Sequence, residues 1–333
     1  MAGFCRIGLF MLAGLIIATA SQAEPLKIGI LKVGGSGPVY LAQDRGYFAA
    51  EGLETTLVSF GGGEAVSVAV VSGDVDIAAT GLTASLYNLA NGGQIRVVAG
   101  MHREAPGFKM QGYFASKRAY DAGLKSLKDL PGHSIALTTI GSTTHYAVGM
   151  LAMKYGFPLS SVRILPLQSM TNSTAAVIGG QADAGIIPGT LSAELARGGA
   201  VNLGWVGDET PWQIGSVFVT TKTANGRGDM IKGFLRALTL GARDYRAAFV
   251  NAKEEREDSP SAPAALAVLS KYIGAPAADL DPQLPWVDPK LRIDTKDVTR
   301  QIDWYKSQGM VKGDITADKL IDMRYAIRLS NNP

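Results

Sequence analysis

One half of this sequence repeats the order of apolar runs and glycine-rich loops found in the other, and that repeat restricts the fold more than any other feature. The first copy runs through Ile28-Gly29-Ile30-Leu31, then Gly34-Gly35-Ser36-Gly37-Pro38, then a helical stretch over 40–50 that contains Gly46-Tyr47-Phe48. The second runs through Ile135-Ala136-Leu137-Thr138, then Gly141-Ser142-Thr143-Thr144, then a helical stretch over 146–155 that closes on Gly156-Phe157. Each copy goes on to a second apolar run (56–60 or 162–167), a polar loop (Gly61-Gly62-Gly63 or 168–172), a helix, and a Gly-x-x-Asp step at Gly73 and Asp76 or at Gly180 and Asp183. A third apolar run, Ile77-Ala78-Ala79 or Ala184-Gly185-Ile186-Ile187, meets a turn at Gly81 or Gly189. From first isoleucine to last glycine the copies span 53 and 54 positions, which predicts two equivalent lobes.

Short apolar runs alternating with helical stretches are the pattern of βαβ units, so each lobe is expected to be a doubly wound α/β domain with a mostly parallel sheet. Every polar loop follows a strand end and precedes a helix, which lines the loops along one edge of each sheet, where open α/β sheets bind ligands. Two facing edges make a cleft. The β-rich stretches 112–116 and 215–221 lack a helical period and are read as the crossing strands of a two-stranded hinge. The expected division is 24–110 for the first part of lobe 1, 111–216 for lobe 2, and 217–333 for the return to lobe 1. Helical periodicity over 230–250, 263–273, 295–308 and 317–329 gives the C-terminal third a packing role on lobe 1 and the hinge.

Residues 1–23 read as a cleavable export signal: Arg6 carries charge, 7–20 form an apolar core, and Ser21-Gln22-Ala23 is a small-x-small site before Glu24. Fourteen apolar residues fall short of the roughly 18–20 that span a bilayer. The single cysteine, Cys5, lies upstream of that core and leaves with the signal, so the mature chain has no disulfide, thiolate nucleophile or Cys metal site. A bacterial periplasm or cell surface fits. A formal charge of +3, with no concentrated basic stretch, argues against nucleic acid as a partner.

The cleft loops supply the candidate ligand contacts. A helix start presents unpaired N–H groups and the positive end of its dipole, so it can hold an anion or a polar head group. Five loops qualify: 34–38, 61–64, 80–83, 141–145 and 168–172. From them come Gly35, Ser36, Gly37, Gly62, Gly63, Thr80, Thr83, Ser142, Thr143, Thr144, His145, Met170 and Thr171, to which Pro188 and Trp212 are added at the third strand of lobe 2 and the return crossing. For each Ser and Thr, ordinary helix capping is the competing role. Trp205 is a second candidate aromatic, and Lys32, His102 and Arg103 are candidate charge partners beside the more common solvated role.

Residues 27–190 also carry a family resemblance. Gly37-Pro38-Val39-Tyr40-Leu41-Ala42, Gly46-Tyr47-Phe48 with Glu51-Gly52-Leu53, Gly73-Asp74-Val75-Asp76, and Asp129-Leu130-Pro131-Gly132 ahead of Ile135 occur in an order that resembles the periplasmic solute-binding proteins of ABC importers. The branch is the nitrate/sulfonate/taurine one, which is similar to thiamine-precursor binding proteins. The resemblance implies a type II periplasmic-binding fold, closure of two lobes on a small solute without bond chemistry, a monomeric chain that docks on a membrane permease, and no cofactor or metal. Relatives usually show an aromatic residue after the first strand, where this chain has Lys32-Val33-Gly34-Gly35-Ser36. Sulfonates such as taurine, nitrate, carboxylates and nitrogen heterocycles stay open as solutes.

Enzyme readings find little support. Gly35-Ser36-Gly37-Pro38-Val39-Tyr40 lacks the third glycine of a dinucleotide turn, there is no Gly-Lys-Ser/Thr phosphate loop or Gly-x-Ser-x-Gly elbow, and the three histidines lack metal-ligand spacing. Enzymes sharing such a fold, hydroxymethylbilane synthase and the yeast pyrimidine synthase of thiamine formation, use cysteines that the mature chain does not have. A ligand-sensing receptor subunit is the other alternative.

Overall fold

The computed structural model describes residues 24–280 and 284–329; the expected export signal lies outside the described residues. Thirteen strands are described, seven of them before the middle of lobe 2: β1 (Glu24–Leu31), β2 (Leu53–Phe60), β3 (Ile77–Gly81), β4 (Ile95–Gly100), β5 (His102–Glu104), β6 (Gln111–Ala115) and β7 (Ser134–Leu137). The rest are β8 (Arg163–Pro166), β9 (Ala184–Pro188), β10 (Val201–Trp205), β11 (Trp212–Gln213), β12 (Gly215–Thr220) and β13 (Trp286–Val287).

They form two five-stranded sheets of the same design. The first has the order β2-β1-β3-β12-β4 and the second, read from its other end, β8-β7-β9-β6-β10. In each, the strands that open the repeat pair in parallel: β1 with β2 and β3 (Ile28 opposite Ile77), β7 with β8 and β9 (Ile135 opposite Ala184). The fourth strand is antiparallel to both its neighbours. It is also the strand that arrives from the other lobe. β3 and β9 are buried along their whole length, as strands covered on both faces must be, which is why they read as short unbroken apolar runs.

That arrangement corrects the expected hinge. Residues 112–116 and 215–221 do not form a crossing pair; they supply the inserted strands β6 and β12 of the two sheets. The strands that pair between the lobes are β5 and β11, with Arg103 opposite Gln213 and Glu104 opposite Trp212, and β13 adds a third strand against β5. Val217-Phe218-Val219 carries strong β-propensity and is fully buried, a demand that a sheet interior meets and an exposed crossing does not. The real crossing strands are two and three residues long, too short to show a period.

The C-terminal third also departs from expectation. The helix Gly228–Phe249 buries Met230, Phe234, Leu238, Tyr245 and Phe249 in the core shared with β1 and the helix Gly37–Asp44, as its period predicts. The helix Thr295–Ser307, however, reaches lobe 2: Trp304 packs edge-on against Tyr146 with ring centroids 5.2 Å apart, and the Tyr305 hydroxyl donates to the Ser142 carbonyl at 2.9 Å. The helix expected over 317–329 stops after Ala317–Leu320, because Asp322 N–H donates to the Val97 carbonyl and the chain runs on beside β4. Among the described residues no helix is long and apolar enough to cross a membrane.

Candidate functional site

The loops at the C-terminal edges of the two sheets meet. Ala84 N–H, at the start of a lobe 1 helix, donates across to the Gly141 carbonyl of lobe 2 at 2.9 Å, and Gly81 of β3 lies so close to Thr143 that a Cβ on it would stand 2.6 Å from the threonine methyl. Between them remains a cavity lined from both lobes.

The cavity brings together eleven of the sequence candidates: Gly35, Ser36, Gly62, Gly63, Thr80, Thr83, Ser142, Thr143, Thr144, Met170 and Pro188 all line it. Four others lie elsewhere. Gly37 faces the ring of Tyr245, which a Cβ would meet at 2.8 Å. His145 is buried under the edge of Trp304 and accepts from Gly141 N–H through Nδ1 at 3.1 Å, so its ring closes the turn rather than the cleft. Trp212 is fully buried against Tyr146, because β11 pairs with β5 and turns the indole into the core. Thr171 belongs to an outer groove that also holds Lys32. Trp205 packs on Phe114, and Arg103 pairs with Asp294 at 3.5 Å beside Trp286, so neither reaches the cavity.

The capping role competes as anticipated. Thr83 accepts from Leu86 N–H and Ser142 from His145 N–H, both at 3.2 Å, while the Ser36 hydroxyl donates to the Leu31 carbonyl at 2.7 Å. These hydroxyls shape the loops and already have partners. Thr80 is different: it is 3 % exposed and its Oγ1 has no partner.

Three further lining residues carry the other free polar atoms: His102, expected as a charge partner, Glu64, expected only as the end of the loop 61–64, and Gln111, which the sequence reading did not name. Glu64, in the first turn of the helix Gly63–Ser72, has Oε1 without a partner; so have Nδ1 of His102 at the start of β5 and Oε1 of Gln111 at the start of β6. His102 is 4 % exposed and sits between Gly35 and Gly215, where a Cβ on either would come within 2.8 Å or 2.4 Å of its ring. Burial pushes its pKa down to about 3, against a small opposing effect of the Gly35 backbone, so the imidazole is neutral. Burial likewise raises the Glu64 carboxyl above the usual carboxylate range, opposed by its own backbone N–H and the neighbouring Thr139 hydroxyl. Buried polar atoms are nearly always paired in folded proteins, so four without a partner around one cavity make it the candidate site.

This is the two-lobed periplasmic-binding fold, and solved structures share it. The alkanesulfonate-binding protein of Xanthomonas axonopodis pv. citri, bound to MOPS, is similar with a TM-score of 0.72 at 19 % identity, covering 91 % of this chain and 99 % of that one. The ligand-binding component of an ABC-type import system from Staphylococcus aureus is similar at 0.71 and 13 %, covering 90 % and 96 %. The periplasmic nitrate-binding protein of Synechocystis PCC 6803 is similar at 0.69 and 12 %, covering 90 % and 84 %. Comparison with curated protein sequences gives no match. Residues 35–248 match the family described as NMT1/THI5 like, and the chain belongs to that family.

Proposed function

We propose that this protein is the periplasmic solute-binding subunit of an ABC importer, exported by residues 1–23, which captures a small polar organic solute by closure of its lobes and delivers it to a membrane permease. One observation carries the reading: a closed cavity lined from both lobes, with free polar atoms on lobe 1 (Thr80, Glu64), on lobe 2 (Gln111) and on the crossing strand between them (His102). A solute bridging these groups makes contacts that exist only when the lobes are together, and that difference is what favours closure. The moving bodies proposed are lobe 1, from 24–110 and the return from 217, and lobe 2, from 111–216 with the helix Thr295–Ser307 packed against it, turning about β5 and β11. The contacts proposed for the solute are the eleven lining candidates, with Glu64, His102 and Gln111 added. The ABC-import and solute-binding descriptions of the similar structures support the reading, and no bond is made or broken in it.

A thermal-shift screen of the chain from Glu24, stripped of co-purified small molecules, tests this. The expected result is a rise in Tm with one class of compound that is recovered unchanged; about 2.7 kcal/mol of stabilisation accompanies a hundredfold excess over Kd. Conversion of the hit to a product would overturn the transport reading in favour of an enzyme.

A further inference from the structure

The crossing between the lobes holds a carboxyl that the cavity does not use. Glu104 lies on β5, two residues beyond His102 and on the same face of the strand, opposite Trp212 of β11. It is 0 % exposed, and neither of its carboxyl oxygens has a hydrogen-bond partner. The elements packed around it bring no free cation. The short helix Val206–Glu209 brings Asp208, whose charge acts against ionisation of Glu104, and Glu209, which Lys154 holds at 2.6 Å. From β6 come Gln111 and Tyr113, and from the return crossing Thr210 and Trp212, all uncharged. On β5 itself His102 is neutral, and Arg103 lies on the other face, paired with Asp294 at 3.5 Å. β13 sets Trp286 and Val287 opposite Arg103 and His102, and β12 sets Gly215 against His102, so neither adds a charge. Burial raises the Glu104 carboxyl well above the usual carboxylate range, with the Gln111 backbone opposing the rise and the Asp208 charge adding to it. A buried charge without a partner is costly, so the folded chain keeps this carboxyl protonated. Water reaches it only where β5 parts from β11 and from the helix Val206–Glu209, which packs so tightly that a Cβ on Gly207 would run into the Ala105 carbonyl.

We propose that Glu104 is a pH-sensitive brace of the lobe crossing: as the neutral acid it stays buried and lets β5, β11 and the helix Val206–Glu209 hold together, and when it ionises the crossing strands part to hydrate it. The proton passes between a carboxyl oxygen and bulk water, and no other bond changes. The crossing is then stiffest in acid and loosens as pH rises, whichever solute the cavity takes. The unfolded chain gives up this proton near the ordinary carboxylate value of 4.5 and the folded chain only at a higher pH. Folding therefore takes up a proton between the two, and the native protein loses stability as pH rises through that window.

Urea titrations of the chain from Glu24 at pH 5, 6, 7 and 8 test this by comparing the native protein with Glu104→Gln, which keeps the shape of the neutral acid. His102 and the other groups titrate in both proteins and drop out of the comparison. The folding equilibrium constant of the variant is expected to gain on that of the native protein as pH rises, by up to about tenfold per pH unit. At pH 8, backbone hydrogen exchange over 102–104 and 212–213 is expected to be faster in the native protein than in the variant, with the inner strands β1 and β7 alike in both; at pH 5 the two proteins are expected to match. Should Glu104→Gln fail to fold at pH 5, Glu104→Met, neutral and of similar length, replaces it with the same expectation. A ratio of equilibrium constants independent of pH overturns the proposal, since the carboxyl would then ionise alike in the folded and unfolded chain. So does a pH-dependent gain whose exchange difference spreads evenly through both sheets. Failure of both variants to fold overturns it too, because the side chain would then make contacts that no neutral replacement supplies.

Discussion

At the scale of single residues, the cavity is made by side chains whose burial changes their chemistry. His102 illustrates it: held neutral by burial, with a pKa of about 3 against 6.5 for the free side chain, it binds a proton in the unfolded chain over a range where the folded chain does not. Folding stability from this residue is thus complete above pH 6.5 and is lost as pH falls from there towards 3, with a limiting slope of about 1.4 kcal/mol per pH unit. The stability difference between the native protein and His102→Asn is expected to shrink between pH 7 and pH 5 in urea titrations; a difference independent of pH would mean the imidazole takes up protons equally in the folded and unfolded chain. Much of the residue-level site was legible, because Gly35, Ser36, Gly62, Gly63, Thr80 and Ser142 follow strand ends, where a ligand edge must lie. Glu64 was legible only as the end of the candidate loop 61–64 and was not singled out, since an acid in the first turn of a helix is also what the helix dipole favours. Gln111 was not either, because it opens a strand instead of a loop.

At the scale of elements, close approach takes over from chemistry. The helix Thr143–Tyr155 contains Gly149 in its middle, a position that ordinarily costs helix stability. The reason is Trp304: a Cβ at Gly149 would stand 2.1 Å from the indole. The C-terminal helix Thr295–Ser307 can therefore seat its tryptophan against lobe 2 only over a glycine. Gly149→Ala is expected to destabilise the protein by about 1–3 kcal/mol through overpacking, despite the better helix propensity of alanine. A fall in the urea midpoint checks this, and a stabilised variant would contradict the packing. This contact was invisible in the sequence, where Trp304 belongs to an ordinary amphipathic period. The same limit explains the misread hinge. Val217-Phe218-Val219 announces a strand, but propensity carries no information on which sheet receives it, and β12 was claimed by β3 and β4.

For the whole molecule, the repeat fixed the architecture because each copy has to bury the same set of strand faces, and the two sheets share one order down to the inserted antiparallel strand. Closure is then governed by what touches across the cleft. Gly81 faces Thr143 with no room for a methyl group, so Gly81→Val is expected to hold the lobes apart. In small-angle scattering the variant should keep a larger radius of gyration in the presence of a saturating solute that compacts the native chain, with solute affinity reduced about tenfold or more. Equal compaction would place the closing contact elsewhere.

The most direct test of the account is native mass spectrometry on the chain expressed with residues 1–23 and isolated from the periplasm without denaturation. The account predicts a mature chain starting at Glu24 with one small molecule bound per chain, released intact when the lobes unfold and lost from Gly81→Val. A chain that carries no small molecule, and stays bare when exposed to a panel of small polar and anionic solutes, would contradict it.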